Sequence, residues 1–311
     1  MTKRTVYLIM VFNMMIWGLN TVALKVLVQY LPPLTLQSLR IFLAGLVLLP
    51  FLLLQKQWRL PQAKEWPHLA GAILFGAVGH HSCLALGVEQ TSATNTALIL
   101  GLVPLATALM AVIFLRDRIS WMRGAGILLG FLGVAFVVLQ GSGEMGGHIT
   151  GDLWVLGAMA TQAASFIYIK KATDTMDAKQ VTTLMFLTGS VIIFIISLFL
   201  HPQGLGQVVD IPAWVWGLFF ASGVIATGLG HMLYNSSIHR LGPGQSAIFI
   251  NLTPFFALMG SSFFLQETIR LSQIAGFFLI AAGVFLGSGA AEERKKTIPA
   301  GQLSEKRTHS L

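Results

Sequence analysis

Charged residues are scarce in this chain of 311 amino acids. It contains 20 Lys and Arg and 12 Asp and Glu, so that 10% of its residues are charged, while 55% are hydrophobic. An ordinary soluble domain has about 25% charged residues, and this chain has too few to cover a soluble fold of its size with polar surface. The high apolar content excludes a disordered chain as well. The composition therefore predicts an all-α polytopic membrane protein.

Cysteine is nearly absent, and so are the motifs of nucleotide-driven and hydrolytic proteins. The single cysteine, Cys83, excludes an intramolecular disulfide framework and a cysteine-cluster metal site. The sequence has no Walker A loop, no HExxH or GxSxG motif, and no GxGxxG motif between a strand and a helix. We therefore expect no cofactor, no metal ion and no enzymatic activity in this chain.

Long apolar runs occupy most of the remaining sequence. A membrane-spanning helix needs about 20 mostly apolar residues, and ten such runs occur between charges and Pro or Gly breaks. The predicted spans are 6–27, 34–54, 67–87, 94–115, 121–139, 153–170, 180–200, 213–237, 243–265 and 271–290. The first run is longer than the core of a cleaved signal peptide, so we expect a retained first helix. Residues 291–311 are polar and predict a disordered cytoplasmic tail.

The distribution of basic residues predicts the orientation. If both termini are cytoplasmic, all but three of the 20 basic residues lie in cytoplasmic segments, the exceptions being Lys25, Arg40 and Arg270. The external loops instead carry the acids Glu89, Glu144, Asp152 and Asp210. This is the positive-inside pattern of a multi-pass protein, which we place in the plasma membrane in contact with the lipid bilayer. The net charge of +8 is then a topology signal, and we expect no nucleic-acid partner.

The chain also contains an internal repeat. A shift of 150 residues aligns 93–140 with 243–290. The matched landmarks are Pro104 and Pro254, Asp117 and Glu267, Gly133 and Gly283, and His81 and His231. Each half, residues 1–140 and 141–290, then has five helices, and because five is odd the second half is inverted in the membrane. Inverted repeats are typical of secondary transporters, whose solute site lies near the midplane between the halves.

Four stretches resemble a known family. They are WGLN at Trp17–Asn20 with Lys25 after it, LRIFLAG around Arg40, SATNTALILGLVPL at Ser92–Leu105, and the run at Ile250–Gly287. These stretches are similar to the EamA branch of the drug/metabolite transporter superfamily, and the resemblance extends to about residue 290. It implies a ten-helix transporter, commonly an exporter of amino acids or other metabolites. The sequence departs from the family at Arg116–Arg118, where Asp117 keeps the charge of the usual Gly-Glu-Arg-like turn.

The titratable candidates for the solute pathway are histidines, since no acid lies in the middle of a predicted span. His81 and His231 lie deep in the third and eighth spans and are matched by the repeat. Imidazole titrates near neutral pH and can pass a proton, so we expect this pair to line the pathway. The alternative is a neutral histidine that bonds an adjacent helix.

Prolines, amides and aromatic residues supply the other pathway candidates. Pro104 and Pro254 stand at matched mid-span positions, where each frees a backbone carbonyl, as in the interrupted helices that line transport cavities. A simple kink is the alternative reading. Amide and aromatic side chains suit neutral, zwitterionic or aromatic solutes, although each of them also suits helix–helix packing. The remaining candidates are Trp17, Asn20, Asn95, Gln162, Tyr168, Tyr234, Asn235 and Asn251.

Charges and glycines near the helix ends have simpler expected roles. Lys25 and Arg40 flank the first external loop, so we expect them to reach the headgroups, with an external contact to an anion or carboxylate as the alternative for Arg40. Glu267 is expected to cap the helix that follows it. Gly126 and Gly130 lie four residues apart, which permits close helix packing and leaves a dimer interface open.

Together these features predict a secondary transporter that exports small organic metabolites, such as amino acids or similar neutral, zwitterionic or aromatic solutes, by alternating access. Ten helices can form a complete pathway, so a monomer is expected, with a homodimer as the alternative. Two other readings are an intramembrane lipid-modifying enzyme, which needs clustered His, Asp or Glu near one interface, and a non-transporting membrane sensor, which needs a signalling domain.

Overall fold

The computed structural model describes residues 3–54, 58–115, 120–141, 148–234 and 249–287, and within these ranges the chain is helical without any β-strand. Eleven helices are numbered along the described residues: α1 Lys3–Leu27, α2 Pro33–Leu54, α3 Trp66–Gln90, α4 Ala93–Leu100, α5 Val103–Leu115, α6 Trp121–Gly141, α7 His148–Thr173, α8 Ala178–Leu200, α9 Ala213–Tyr234, α10 Leu252–Phe264 and α11 Leu271–Gly287. A short 3₁₀ turn, Gly206–Asp210, precedes α9.

Seven helical stretches among the described residues are long and apolar enough to cross a membrane. They are Thr5–Leu27, Pro33–Leu54, Trp66–Gln90, Ala93–Met110, Ile149–Thr173, Ala178–Leu200 and Ala213–Tyr234. Three shorter apolar helices are Gly124–Val137, Leu252–Phe264 and Leu271–Leu286. The prediction of an all-α polytopic membrane protein is confirmed. The predicted tail 291–311, the turn Arg116–Arg118 and Glu144 lie outside the described residues.

The outer surface of the helix bundle is apolar. Large side chains such as Leu54 and Phe199 are more than 80% exposed, a pattern that is unfavourable in water and suits contact with acyl chains. Trp66, Trp121 and Trp214 lie at or next to the first residues of their helices and are also exposed. Tryptophan at helix ends is typical of the membrane–water interface.

Glycine faces hold α6 and α11 together. A Cβ atom on Gly283 would lie 2.7 Å from Gly130 Cα and 2.8 Å from the carbonyl oxygen of Gly126, so the two backbones are in direct contact. On the opposite helix, a Cβ on Gly133 would lie 3.0 Å from the backbone nitrogen of Ile280. The close packing expected from these glycines is present, and it joins two helices of the same chain rather than two chains.

Helices α3 and α9 each contain a π-helical segment, Ala72–Gly79 and Ala221–Leu229. The 150-residue shift superimposes the two segments to within one residue. A π-helix bonds residue i to i+5, which widens the turn, and such segments are frequent at functional sites. Each segment is followed by histidines: the buried His80 and His81 in α3, and the half-buried His231 one residue further along in α9. The widened turns therefore lie near the middle of α3 and α9.

Both matched prolines follow helix interruptions. Helix α4 ends at Leu100 and α5 begins at Val103, so Pro104 is the second residue of α5. Pro254 is likewise the third residue of α10, which begins after a turn at Asn251. The helices are thus interrupted near both prolines as expected, but each proline lies in the first turn after the break, where its missing N–H has no intrahelical partner to lose, rather than in mid-helix.

Candidate functional site

Arg40 lies about two turns into α2 and is only 1% exposed. Its Nε and Nη2 donate to Gln37 Oε1 over 3.0 and 2.6 Å. Its Nη1 donates to Ser222 Oγ over 3.2 Å and to Thr227 Oγ1 over 2.7 Å. The expectation that Arg40 reaches the headgroups is wrong, because polar groups of α2 and α9 surround the guanidinium inside the bundle. We call Asn20, Gln37, Arg40, His81, Ser222 and Thr227 the Arg40 cluster.

The π-helical segment of α9 explains how two hydroxyls reach one nitrogen. In an α-helix, residues five apart point about 140° away from each other. In the π-helical segment they lie on the same side, and Thr227 Oγ1 donates to the carbonyl oxygen of Ser222 over 3.0 Å. Reading the sequence at the α-helical period therefore missed Ser222 and Thr227. The only signal was a pair of hydroxyl residues spaced by five in an apolar run.

Helix α1 presents three polar side chains to the same segment of α9. Ser222 Oγ donates to Asn20 Oδ1 over 2.5 Å, and Trp17 Nε1 donates to the carbonyl oxygen of Ala226 over 2.9 Å. Asn13 Nδ2 donates to the carbonyl oxygen of Gly230 over 3.2 Å. The spacing of Asn13, Trp17 and Asn20 places them on one helix face. The predicted candidates Trp17 and Asn20 thus contact α9 at the edge of the Arg40 cluster.

The two matched histidines contact the same phenylalanine. The ring centroids of His81 and His231 lie 6.0 and 5.4 Å from that of Phe186, a fully buried residue of α8. Arg40 Nη2 donates to His81 Nδ1 over 3.4 Å. The Trp17 ring is 5.1 Å from both His231 and Tyr234. Five of the predicted pathway residues, from three helices, are therefore close together in space: Trp17, Asn20, His81, His231 and Tyr234.

Gln162 and Tyr168 lie on α7 beside the other π-helical segment. The Tyr168 ring stacks on Phe75 with centroids 5.5 Å apart. Gln162 Nε2 donates to Ser165 Oγ over 3.2 Å, and a Cβ atom on Gly76 would lie 3.0 Å from Ser165 Cβ. Helix α7 therefore packs on the first π-helical segment as α1 packs on the second, with these two candidates at the contact.

Asn95 belongs to a second buried network. Its Nδ2 donates to Asp152 Oδ2 over 3.3 Å, and its Oδ1 accepts from Gln273 Nε2 over 2.8 Å. Thr91 Oγ1 also donates to Asp152 Oδ1 over 2.6 Å. Asp152 was expected in an external loop, but it is fully buried within the first turns of α7. The sequence did not indicate this position because the predicted span began only at residue 153.

Glu267 caps a helix of the other half of the chain. Its carboxylate accepts from the backbone N–H groups of Ala93 and Thr94 over 2.9 and 3.2 Å, and from Thr94 Oγ1 over 2.7 Å. The expectation that Glu267 caps the following helix is wrong, since Gln273 Oε1 accepts from Arg270 N there instead. The first N–H groups of a helix lack intrahelical partners and attract a carboxylate. We call Thr91, Thr94, Asn95, Asp152, Glu267 and Gln273 the Glu267 cluster.

Lys25 binds the C-terminal end of α3, which lies next to the start of α4. Its Nζ donates to the carbonyl oxygens of Val88 and Glu89 over 2.8 and 3.1 Å. Lysine at a helix C-terminus interacts favourably with the last carbonyl groups. Lys25 therefore binds protein carbonyls near the Glu267 cluster, and the expectation that it reaches the headgroups is wrong.

A cavity of about 300 Å³ adjoins the Glu267 cluster. Its polar lining includes Ser92, Asn95, Glu267, Arg270 and Gln273. This volume is at the lower end of the range typical of small-molecule sites. No group of three or more His, Cys, Asp or Glu residues in the described ranges could hold a metal ion.

The remaining candidates lie in packing contacts between α1, α4 and α10. A Cβ atom on Gly101, in the turn between α4 and α5, would lie 3.1 Å from Pro254 Cγ, so the two helix interruptions touch. Asn251 directly precedes α10, and Pro104 is the second residue of α5. Asn235 lies outside the described residues.

Arg59 forms an ion pair with Glu65 in the loop before α3, and it also binds a second loop, the one that follows α7. Arg59 Nη1 and Nη2 donate to Glu65 Oε2 and Oε1 over 2.8 and 2.6 Å, and Nη2 also donates to the carbonyl oxygen of Thr175 over 2.7 Å. The hydrogen bonds from Arg59 hold the pKa of the Glu65 carboxyl well below its usual range. This contact ties the segment before α3 to the segment after α7.

Known proteins resemble this chain over most of its length. The model of a family described as the EamA-like transporter family matches residues 4–139 and 149–289. The uncharacterized transporter YyaM of Bacillus subtilis (strain 168) is 29% identical over 272 residues, which cover 85% of this chain and 87% of YyaM. The uncharacterized transporter YvbV of the same organism is 25% identical over 295 residues, 94% of each chain. One crystal structure matches with a TM-score of 0.66 at 16% identity, covering 95% of this chain and 99% of its own, which shows a shared fold.

Proposed function

Because the chain belongs to the EamA-like transporter family, we propose that it exports small organic metabolites, such as amino acids, across the plasma membrane by alternating access. The resemblance predicted from the sequence is confirmed, and the family and its relatives identify a membrane transporter. The predicted localisation, a multi-pass protein of the plasma membrane, is confirmed by the same match together with the seven membrane-length helices. The direction of transport and the class of solute are the parts that we propose.

The proposed architecture is ten transmembrane helices in two inverted halves, 1–140 and 141–290, with both termini in the cytoplasm. Seven long and three shorter apolar helices of the described residues each overlap one of the ten predicted spans. The family model matches the chain in two successive stretches. Further support comes from features that the 150-residue shift superimposes: the π-helical segments, the helix interruptions before Pro104 and Pro254, and the paired helices α6 and α11.

The observation that carries the proposal is the Arg40 cluster between the two halves. Arg40 and His81 come from the first half, whereas Ser222 and Thr227 come from the second. All these contacts are hydrogen bonds without a second charge, so the two halves can separate here without breaking an ion pair. In alternating access the two halves rock about a site between them, and this cluster joins helices of both proposed halves.

The side chains around the cluster favour small amphipathic solutes. Trp17, Tyr234 and His231 provide ring surfaces, and Asn20 together with the hydroxyls of α9 provides hydrogen-bonding groups. Apolar and aromatic walls with a few oriented polar groups are typical of small-molecule sites. This composition supports the proposed neutral, zwitterionic or aromatic metabolites.

The proposal is tested with purified protein in liposomes. The vesicles are loaded with a mixture of amino acids, hydroxy acids and neutral aromatic compounds, and the released solutes are measured by mass spectrometry against protein-free vesicles. We expect selective release of at least one member of the mixture. If no solute of the mixture leaves the vesicles that contain the protein faster than it leaves protein-free vesicles, the proposed transport activity is wrong.

Direction is tested separately in cells. Overexpression is expected to enrich the growth medium in the same solute that leaves the liposomes. Enrichment inside the cells instead contradicts export while leaving the transport activity intact.

A further inference from the structure

Arg40 is a buried cation without a carboxylate partner among the residues that the structure describes. In these ranges the ion pair is the one between Arg59 and Glu65, which lies in the loop after α2 and does not involve Arg40. The hydrogen-bond partners of the Arg40 guanidinium are the neutral side chains of Gln37, Ser222, Thr227 and His81. Removing a charge from water without an opposite charge is costly, and intramembrane charges that persist are usually functional. The cluster is thus suited to an anionic group that the chain itself does not supply.

Gln37 adds a second donor that lacks a partner. Gln37 Oε1 accepts two hydrogen bonds from Arg40, but Gln37 Nε2 has no hydrogen-bond partner although the residue is completely buried. Buried amide N–H groups in folded proteins are nearly always satisfied. The unsatisfied donor and the unpaired guanidinium lie on the same face of α2, three residues apart. A carboxylate would supply both the missing acceptor for Gln37 Nε2 and the missing opposite charge for Arg40.

Resting on the transport activity proposed above, we propose that Arg40 and Gln37 bind the carboxylate of the transported solute. A guanidinium matches a carboxylate through two parallel N–H···O bonds, and Gln37 Nε2 supplies a further donor beside them. In the closed arrangement, Ser222 and Thr227 accept from Nη1 and His81 Nδ1 accepts from Nη2, so a carboxylate that bonds Nη1 and Nη2 in parallel replaces acceptors on both nitrogens.

The same geometry couples binding to the movement of the halves. Nη1 bonds either to the hydroxyls of the second half or to the solute, because both compete for the same N–H groups. A bound carboxylate therefore replaces the contacts that hold α2 to α9 around Ser222 and Thr227. When the solute leaves, these hydroxyls return to Arg40 and the cluster closes again.

The test compares carboxylates with their amides, using L-phenylalanine, L-leucine, L-threonine and lactate, each paired with the corresponding amide. Thermal stabilisation of the detergent-purified protein reports binding, and counterflow in proteoliposomes reports transport. We expect at least one acid to stabilise the protein and to move at least about tenfold faster than its amide, the factor that loss of one charge-assisted contact produces. Equal transport of acids and amides overturns the carboxylate site but leaves the transporter function. Stabilisation by acids without any flux keeps the carboxylate site and overturns the transporter function.

A variant that introduces a negative charge beside Arg40 separates an effect on solute binding from an effect on protein stability. Gln37→Glu supplies a permanent carboxylate to Arg40, so the protein is expected to remain as thermally stable as wild type while acid flux falls at least about tenfold. Gln203→Glu, the same exchange in an exposed turn, is the matched control and should retain wild-type flux. Arg40→Lys keeps the charge but loses the planar fork, and we expect it to retain part of the preference for acids. No stabilisation by any of the four acids, or unchanged acid flux in Gln37→Glu, overturns the proposal.

Discussion

The hydrogen bonds of single residues define which histidine nitrogens carry a proton. A guanidinium can only donate, so His81 Nδ1 accepts from Arg40 and its proton lies on Nε2. His231 Nδ1 instead donates to the carbonyl oxygen of Thr227 over 2.8 Å, and His80 Nδ1 donates to that of Ala158 over 2.9 Å. A proton taken up by His81 has to bind Nδ1, which would end its bond to Arg40 and place two cations in contact. Protonation of His81 is thus tied to movement of Arg40.

We predict that His81→Gln together with His231→Gln removes the pH dependence of transport between about pH 5 and 8. Glutamine keeps a hydrogen-bonding side chain of similar length but does not titrate. Arg40 and His80 both face His81, and the two histidines of the pair face each other across Phe186. Arg40 stays charged over this pH range. The measurement is counterflow in proteoliposomes at a series of pH values.

His201→Gln, at the end of α8 and outside the Arg40 cluster, is the control for this pair. It should keep the wild-type pH profile. If the double variant keeps the profile too, or if wild-type flux does not depend on pH, a proton role for the pair is wrong.

A second residue-level prediction concerns the ion pair outside the helices. Glu65→Gln should lower the thermal unfolding midpoint at pH 7, because Arg59 then loses its charged partner. The pKa of Glu65 is lowered in the folded protein, so its contribution to stability is complete above its usual pKa and is lost as pH falls through the lowered value. The difference between variant and wild type should therefore be constant near neutral pH and shrink progressively as the pH falls below the usual pKa of a glutamate.

Thermal unfolding of Glu65→Gln and of Asp174→Asn, a matched change at an exposed position in the neighbouring loop, measures this effect. Equal midpoints for Glu65→Gln and wild type at pH 7 would show that the pair does not stabilise the fold.

Single residues were partly predictable from the sequence. His81 and His231 stood out because a titratable pair inside apolar spans is rare and the repeat matches it. Gln37 did not stand out, since a lone glutamine in an apolar run is usually a packing residue. Ser222 and Thr227 escaped because their spacing has meaning only in a π-helix, and widened turns leave no mark in an apolar sequence.

At the level of helices, backbone contact depends on glycine at a few positions. We predict that Gly283→Ala destabilises the protein by about 1–3 kcal/mol, because its Cβ would meet the backbone of Gly130, which has no rotamer to move away. Thermal or denaturant unfolding in detergent measures the loss.

The matched control is Gly217→Ala, also in a transmembrane helix, where a Cβ atom would meet nothing within 4 Å. It should be neutral or stabilising, since alanine favours a helix by about 1 kcal/mol over glycine. Equal effects of the two variants would contradict the close contact between α6 and α11.

A second prediction at this level concerns the cap on α4. Glu267→Gln should lower stability by about 1 kcal/mol, because the amide binds the N–H groups of Ala93 and Thr94 less strongly than a carboxylate does. Asp174→Asn is a suitable control, since it makes the matching acid-to-amide change at an exposed position in the loop after α7. Equal unfolding midpoints for the two variants would show that Glu267 does not hold α4.

Helix positions were largely predictable, whereas their ends were not. The spans were located by the length of the apolar runs and by the charged, Pro and Gly residues that border them. The start of α7 was not located correctly, because this helix begins at His148 and therefore contains Asp152. The prolines were read as mid-helix breaks, whereas the helices end just before them and restart. Helix ends depend on capping groups from distant segments, such as Glu267 on α4, which local sequence does not reveal.

For the whole molecule, the all-α membrane class followed from composition alone, because the lipid environment imposes apolar length and closed backbone hydrogen bonding on every span. The pairing of helices required the structure, since apolar helices pack through shape rather than through patterned charge. The Arg40 cluster appears only at this scale, because its members come from α1, α2, α3 and α9. Its position between the proposed halves is the basis for alternating access.

The most direct test of alternating access is the accessibility of the Arg40 cluster from each side of the membrane. Asn20→Cys in a Cys83→Ala background is labelled with a membrane-impermeant maleimide in right-side-out and in inside-out vesicles. Alternating access predicts labelling from both sides, slowed in each case by the transported solute. Labelling from one side only, or equal labelling with and without the solute, would contradict it.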